Sequence, residues 1–228
     1  MSATMPGETQ QPVEGEIRTS SGSWLRSSGK FLLSGDGKIL VSLIIGFGIL
    51  CRLAPYLHNR SLWVDEAKLA LNIIQKSFSQ LAHPLDYGQM APLGFLFLEK
   101  ILTQTFGTDE YVLRIFPLLA GIFSLVLFYE VSRRVLTLRG LTIALGLFAL
   151  SELLIRYASE LKQYSSDVAI GLAISLMGLI CLKNHSRLWL SIILTSLAGA
   201  FLIWFSHPSI FVLAGVGLTL VIQSFETK

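Results

Sequence analysis

The chain has 228 residues, of which 52% are apolar and only 14% are charged. A soluble domain of this size carries far more charge, so the composition places the chain in the membrane class. A formal net charge of +3 is too modest to imply a nucleic-acid partner, and none is expected. Residues 1–36 are rich in Ser, Gly, Thr and Glu and poor in large apolar side chains. Such a tail cannot bury enough surface to offset its ordering entropy, which predicts a disordered cytoplasmic segment. It is too long and too polar for the start of a cleaved signal peptide.

The first apolar run, residues 39–57, is long enough to cross hydrocarbon and reads as an uncleaved anchor. Arg52 interrupts it near one end, where a long side chain can snorkel toward the phosphate layer. Arg60-Ser61-Leu62-Trp63-Val64-Asp65-Glu66-Ala67 follows, opening a loop expected over residues 58–110. Asp65 and Glu66 suit the first turn of a helix, where the dipole favours negative charge; a solvated helix start is the plain alternative to a functional role. The next pattern places Ala70, Ile73, Ile74, Phe78 and Leu81 on one helical face and Lys68, Asn72, Gln75, Lys76 and Ser79 on the other. That alternation suits a helix lying in the interface. His83 to Pro92 reads as an irregular loop, and residues 93–106 as a second interfacial or packed helix carrying Glu99 and Lys100 midway.

Five further spans are expected at about residues 111–131, 141–155, 168–182, 188–205 and 209–225, with Arg114 near the start of the first. The predicted class is all-α, a polytopic transmembrane bundle of about six spans over residues 37–228, with interfacial helices in the first outer loop. Cys51 and Cys181 fall inside apolar runs toward opposite faces, so packing rather than a disulfide or zinc is expected. The short turns around Arg133, Arg134 and Arg139 and around Lys183 and Arg187, with Arg26, Lys30 and Lys38 before the first span, mark the cytoplasmic side. Both termini are then cytoplasmic. The loop with Asp65, the 156–167 stretch and the Ser206-His207-Pro208 turn lie outside.

The second dense polar stretch runs Arg156, Glu160, Lys162, Gln163, Tyr164 and Asp167. At helical spacing Arg156 neighbours Glu160, and Glu160 neighbours Tyr164. A polar helix end dipping into headgroups would look the same, and a histidine such as His207 before a proline is ordinarily a cap or a packed side chain. His58, His83 and His185 carry no stronger reading. Convergence gives the functional reading: two acidic loops and one histidine reach one aqueous face. Carboxylates there can take a proton from a hydroxyl or hold a divalent cation, with Asp65, Glu160 and His207 the candidates. Arg156 and Lys162 can offset a phosphate leaving group.

Several stretches together resemble the amino-terminal half of a polytopic GT-C glycosyltransferase, closest to bacterial relatives of dolichyl-phosphate-mannose protein mannosyltransferases and aminoarabinose transferases (glycosyltransferase family 39). They are Arg60 to Asn72, Leu85 to Phe95 with Asp86, Gly88, Gln89 and Pro92, then Glu99-Lys100, and Asp109 to Pro117. Tyr157 to Asp167, with Glu160, Lys162, Gln163 and Tyr164, and Ser206-His207-Pro208 complete the order. The resemblance implies a sugar on a polyprenyl phosphate, transferred at the outer face of a bacterial inner membrane to an acceptor the residues do not specify. It makes Asp65 the catalytic base or acceptor-orienting carboxylate, with Glu66 sharing the motif. It sets Glu160, with its neighbours Arg156, Lys162, Gln163 and Tyr164, near the donor phosphate or a metal, and Gln89 and His207 on the same face. Metal use varies among such enzymes and stays open. Members are roughly twice this length, so a missing carboxy-terminal half is one expectation and a short form the other. Two rival readings stand beside the enzyme: a non-catalytic membrane subunit or remnant that binds lipid, and a small transporter, against which the lack of an internal repeat counts.

Overall fold

The computed structural model describes residues 35–183 and 188–226. The tail expected over residues 1–36 falls almost wholly outside them, as do His185 and Arg187 of the expected cytoplasmic turn. The described residues form ten α-helices and one 3-10 turn. They are α1 (Gly35–His58), α2 (Val64–Gln75), α3 (Phe78–Leu81), the 3-10 turn (Asp86–Gly88), α4 (Leu93–Phe106) and α5 (Glu110–Val135). The rest are α6 (Leu138–Leu150), α7 (Glu152–Tyr157), α8 (Tyr164–Lys183), α9 (Leu188–Leu202) and α10 (Ser209–Glu226). Among the described residues there is no strand, and the protein is an all-α membrane bundle.

Three segments are long and apolar enough to cross a membrane: Gly37–His58, Glu110–Val135 and Tyr164–Leu182. Leu138–Leu150, Ile192–Leu202 and Ser209–Gln223 are shorter apolar helices. The architecture is two three-helix groups. α1, α5 and α6 pack on one another, as do α8, α9 and α10, and α5 against α8 is the seam that joins them. Loops 59–63, 76–92, 107–109, 158–163 and 203–208 then gather at one end, with the α5–α6 turn and the end of α8 at the other.

Local chemistry fixes where the helices stop. α1 ends at Asn59, which takes the left-handed φ of 45° that asparagine tolerates, its N–H donating to the Tyr56 carbonyl at 3.1 Å. Tyr56 donates to the Tyr111 carbonyl at 3.1 Å and Tyr111 to the Leu57 carbonyl at 3.2 Å, so the end of α1 and the start of α5 are stitched both ways. Asp109 caps α5 by accepting from Val112 N at 2.9 Å. Arg133 and Arg134, in its last turn, both pair with Glu130.

Three expectations change. Arg52 does not snorkel: it is fully buried. Its Nη1 donates to the Gly48 and Ala149 carbonyls at 3.0 Å and its Nη2 to Phe148 at 3.4 Å. A guanidinium thus caps the carboxy-terminal carbonyls of α6, where the dipole favours positive charge. The span expected over residues 141–155 breaks at Ser151, so α6 ends at Leu150 and α7 is a separate short helix. The helix expected through Leu81 ends at Gln75. Ser77 restarts it by exchanging capping hydrogen bonds with Gln80, and Asn72 is buried instead of facing solvent.

The loop helices share a core of Leu69, Ala70, Ile73, Leu81, Phe95, Leu96, Leu113 and Leu161. α4 is packed into it, with Glu99 and Lys100 both buried. Lys100 Nζ reaches the Ile74 carbonyl at 2.9 Å, at the carboxy-terminal end of α2. Glu99 has no protein partner for either carboxyl oxygen, and burial pushes that carboxyl well above the usual carboxylate range. Gly94 opens α4 against the 203–208 turn, its N–H donating to the Trp204 carbonyl at 2.7 Å.

Two outcomes follow. A Cβ at Gly94 would meet the Trp204 carbonyl oxygen at 2.7 Å and the Phe205 ring at 2.9 Å, and a backbone oxygen cannot rotate away. Gly94→Ala therefore loses about 1–3 kcal/mol to overpacking, more than the under 1 kcal/mol a helical alanine returns, read as a lower unfolding temperature in detergent. For Glu99, the folded state binds the proton more tightly than the unfolded chain, so stability falls as pH rises from the ordinary carboxylate range through the raised value. Glu99→Gln removes that loss, and its stability advantage over the wild type widens between pH 5 and pH 8 in thermal unfolding.

Candidate functional site at the loop-bearing end

α2 begins at Val64, and successive side chains on a helix point about 100° apart. Asp65 is therefore exposed while Glu66 is fully buried. Glu66 Oε1 accepts from Arg114 Nε at 3.1 Å and from the Leu161 backbone N–H at 2.8 Å. Its Oε2 accepts from Arg114 Nη2 at 3.0 Å and from Trp63 N at 3.4 Å. Arg114, 1% exposed, spends its remaining nitrogen on the Arg60 carbonyl at 2.7 Å. The two-pronged geometry satisfies both ions, which is what lets them persist without water.

Arg60 links this pair to the second acid. Its Nη2 lies 3.0 Å from Glu160 Oε1 and 3.7 Å from Glu66 Oε2. Glu160 is 2% exposed and also accepts from Arg156 Nε at 2.7 Å. That carboxylate holds the Arg156 guanidinium above its ordinary value, and the guanidinium lies over the Trp63 ring at 5.5 Å from the centroid. Three arginines thus face two buried carboxylates, leaving positive charge over. Arg60 and Arg156 present it to solvent, with side chains 38% and 51% exposed. Lys162 Nζ donates to Gln89 Oε1 at 2.9 Å, bringing the first loop to the 158–163 turn. Gln89 is aimed by a turn with left-handed φ at Tyr87 (61°) and Gly88 (64°). That turn is held by Asn72, whose amide accepts from Asp86 N at 2.9 Å and donates to the Asp86 carbonyl at 3.2 Å. Lys76 pairs with the Asp86 carboxylate at 3.1 Å.

The structure therefore gathers Glu66, Glu160, Arg156, Lys162 and Gln89 into one network and sets Asp65 within electrostatic reach of Tyr164 at its edge. Tyr164 stands against Tyr157, ring centroids 4.5 Å apart. Glu160 and Tyr164 are not one helical turn apart on a single helix, because α7 ends at Tyr157 and α8 starts at Tyr164. Gln163, in that turn, buries its Oε1 without a protein partner. His207 stands apart, exposed, beside Asp167 and a small cavity of about 180 Å³ shared with Leu93, Ile203 and Trp204.

Asp65, Glu160 and His207 do not form one cation site. No group of three or more His, Cys, Asp or Glu side chains able to hold a metal occurs among the described residues. Glu160 turns its Oε1 to two guanidiniums, those of Arg60 and Arg156. Cys51 and Cys181 are free, and Cys181 Sγ lies 3.1 Å from Thr195 Oγ1. Arg60, Arg114 and Asn72 carry more of the site than their sequence positions imply. Only Arg114 leaves a signal, a lone cation one turn into an apolar run that requires a counter-ion.

No family model, no curated protein and no solved structure matches the chain. Removing one partner of the buried pair strands the other. Arg114→Met is expected to cost about 3–5 kcal/mol, against near-additive small effects for exposed substitutions. Glu66→Gln, which keeps some hydrogen bonds, should cost less than Arg114→Met. Thermal unfolding in detergent, with a double-mutant cycle over Glu66 and Arg114, reads the coupling. Additive losses would show that the pair is not a unit.

Proposed function

We propose that the chain acts in membrane glycosyl transfer, moving a sugar from a polyprenyl-phosphate donor to an acceptor hydroxyl at the extracytoplasmic face of a bacterial inner membrane. The observation that carries this reading is the network Glu66–Arg60–Glu160–Arg156, which joins the two loops whose motifs resemble those of GT-C enzymes. Its chemistry divides in two. Arg60, Arg156 and Lys162 offer surplus, partly exposed positive charge suited to a lipid-linked phosphate. Asp65 is a carboxylate not committed to an ion pair, and it can orient and deprotonate an acceptor hydroxyl that comes within about 3 Å. Glu66 is the structural member of the adjacent acids. Arg133, Arg134 and Arg139 lie toward the opposite end of the bundle, which by the charge rule is the cytoplasmic side, with both termini there.

A non-catalytic lipid-binding subunit is the second reading, favoured by the full pairing of Glu66 and Glu160 with arginines. Transfer of labelled sugar from a polyprenyl-phosphate donor in liposomes separates the two. Asp65→Asn should lower turnover roughly 10²–10⁴-fold while leaving the unfolding temperature unchanged, because its side chain is exposed. Wild-type turnover in that variant removes Asp65 from the mechanism. Transfer that arises only on adding a carboxy-terminal partner half assigns the chain the non-catalytic role.

A further inference from the structure

The loop between α3 and α4 is held at its ends by packing and in its middle by hydrogen bonds. Leu85 and Ala91 pack against the loop core, whereas Tyr87 and Met90 between them are 59% and 82% exposed. Packing of those two side chains therefore does not choose the path. Nor is the path a relaxed one: Tyr87 holds a left-handed φ of 61°, which a bulky residue keeps only where its surroundings over-determine it. Asn72 does so. It is buried, and both ends of its amide go to backbone. Oδ1 accepts from Asp86 N at 2.9 Å, and Nδ2 donates to the Asp86 and Lys68 carbonyls at 3.2 and 2.9 Å. The Gln89 N–H closes the turn onto the same Asp86 carbonyl at 3.3 Å. The result is one contact across to the 158–163 turn, Lys162 Nζ donating to Gln89 Oε1 at 2.9 Å.

That contact differs in kind from its neighbours. Arg60 and Arg156 lie against Glu160, Arg114 against Glu66 and Lys76 against Asp86, each cation answered by a carboxylate. Lys162 is answered by a neutral amide. The amide oxygen takes one of the ammonium's three N–H donors and none of its charge, which leaves donors and charge for an anion. Lys162 is also tied to the arginine network through its backbone, its N–H donating to the Glu160 carbonyl at 2.7 Å. A glutamate at position 89 would reach as far and accept the same hydrogen bond, but it would cancel the charge. We propose that Gln89 is a positioning residue for the donor phosphate, holding the Lys162 ammonium in place without neutralising it, and that Asn72 acts behind it by setting the turn that carries Gln89. The inference rests on the glycosyl-transfer reading for the identity of the anion, a phosphate ester on a polyprenyl chain.

The test is calorimetric titration of the full chain in detergent with farnesyl phosphate, set against farnesol, which has the same apolar chain and no phosphate. The wild type is expected to prefer the phosphate, with an affinity that falls as salt rises. Gln89→Glu keeps the shape and the hydrogen bond and should leave the unfolding temperature unchanged. It should weaken phosphate binding roughly ten- to hundredfold, as for loss of one charge-assisted hydrogen bond, flatten the salt dependence and leave farnesol binding as it was. Gln89→Ala, which frees the ammonium without neutralising it, should weaken binding less, about two- to tenfold. Asn72→Ala should match Gln89→Ala, and the two together should lose no more than either alone, since both act through one contact. A glutamine that only held the loops together would give the opposite order, because glutamate serves a lysine better than alanine does. Wild-type phosphate affinity in Gln89→Glu overturns the proposal and leaves the donor reading standing. No preference for farnesyl phosphate over farnesol in the wild type removes the phosphate site itself, and the proposal falls with it. Additive losses for Asn72→Ala and Gln89→Ala overturn the part given to Asn72, and if Asn72→Ala does not fold, the two Gln89 variants still decide.

Discussion

A carboxylate and a guanidinium buried together, Glu66 with Arg114, hold the loop-bearing end of the bundle in one arrangement. Each ion alone would be too costly to bury at this depth. Glu66 also accepts the N–H of Leu161, so the same carboxylate that pins α2 to α5 fixes the 158–163 turn between α7 and α8. Three parts of the chain far apart in sequence are thereby tied to one side chain. Arg60 extends the arrangement outward by bridging Glu66 to Glu160, and Arg156 and Trp63 complete its rim. Around these contacts the unit packs a hydrophobic cluster, into which α4 also brings the buried Glu99 and Lys100.

The bundle was readable in the sequence because hydrocarbon imposes a simple rule: an apolar run of sufficient length becomes a helix that satisfies its own backbone. Each of the six apolar runs contains an apolar helix, and the loop between α1 and α5 lies where the polar residues set it. What escaped were features decided by distant partners. Arg52 looks the same in sequence whether it reaches for headgroups or for carbonyls, and the carbonyls that settle it come from Phe148 and Ala149. Ser151 and Glu152 do mark the break as a helix start, a serine cap followed by a first-turn acid, but in sequence the pair reads equally well as the polar end of one span. Asn72 reads as one more polar residue on a helix face. Its burial follows from Asp86, whose backbone it pairs with fourteen positions later.

Of the candidate site, the grouping of the two acidic stretches was legible and the separate roles of the adjacent acids were only half legible. Helical geometry requires Asp65 and Glu66 to point in different directions, but it does not say which goes inward. Arg114 decides that, 48 residues further on. Asp65, Glu160 and His207 do not cluster among the described residues, and counting carboxylates leaves out the arginines that claim Glu160. Glu160 is surrounded by guanidiniums, while Asp65 remains exposed beside Tyr164.

The 158–163 turn is where these constraints meet. On one side it presents Glu160 and Lys162 to the arginine network and to Gln89; on the other it leads into the first turn of α8, where Asp167 faces Ser206. The surplus of positive charge at Arg60, Arg156 and Lys162 and the carboxylate of Asp167 are therefore joined by one short connection. The turn keeps them apart because the Leu161 N–H is fixed on Glu66 and its side chain sits in the loop core. Movement of that anchor would shift both flanks at once.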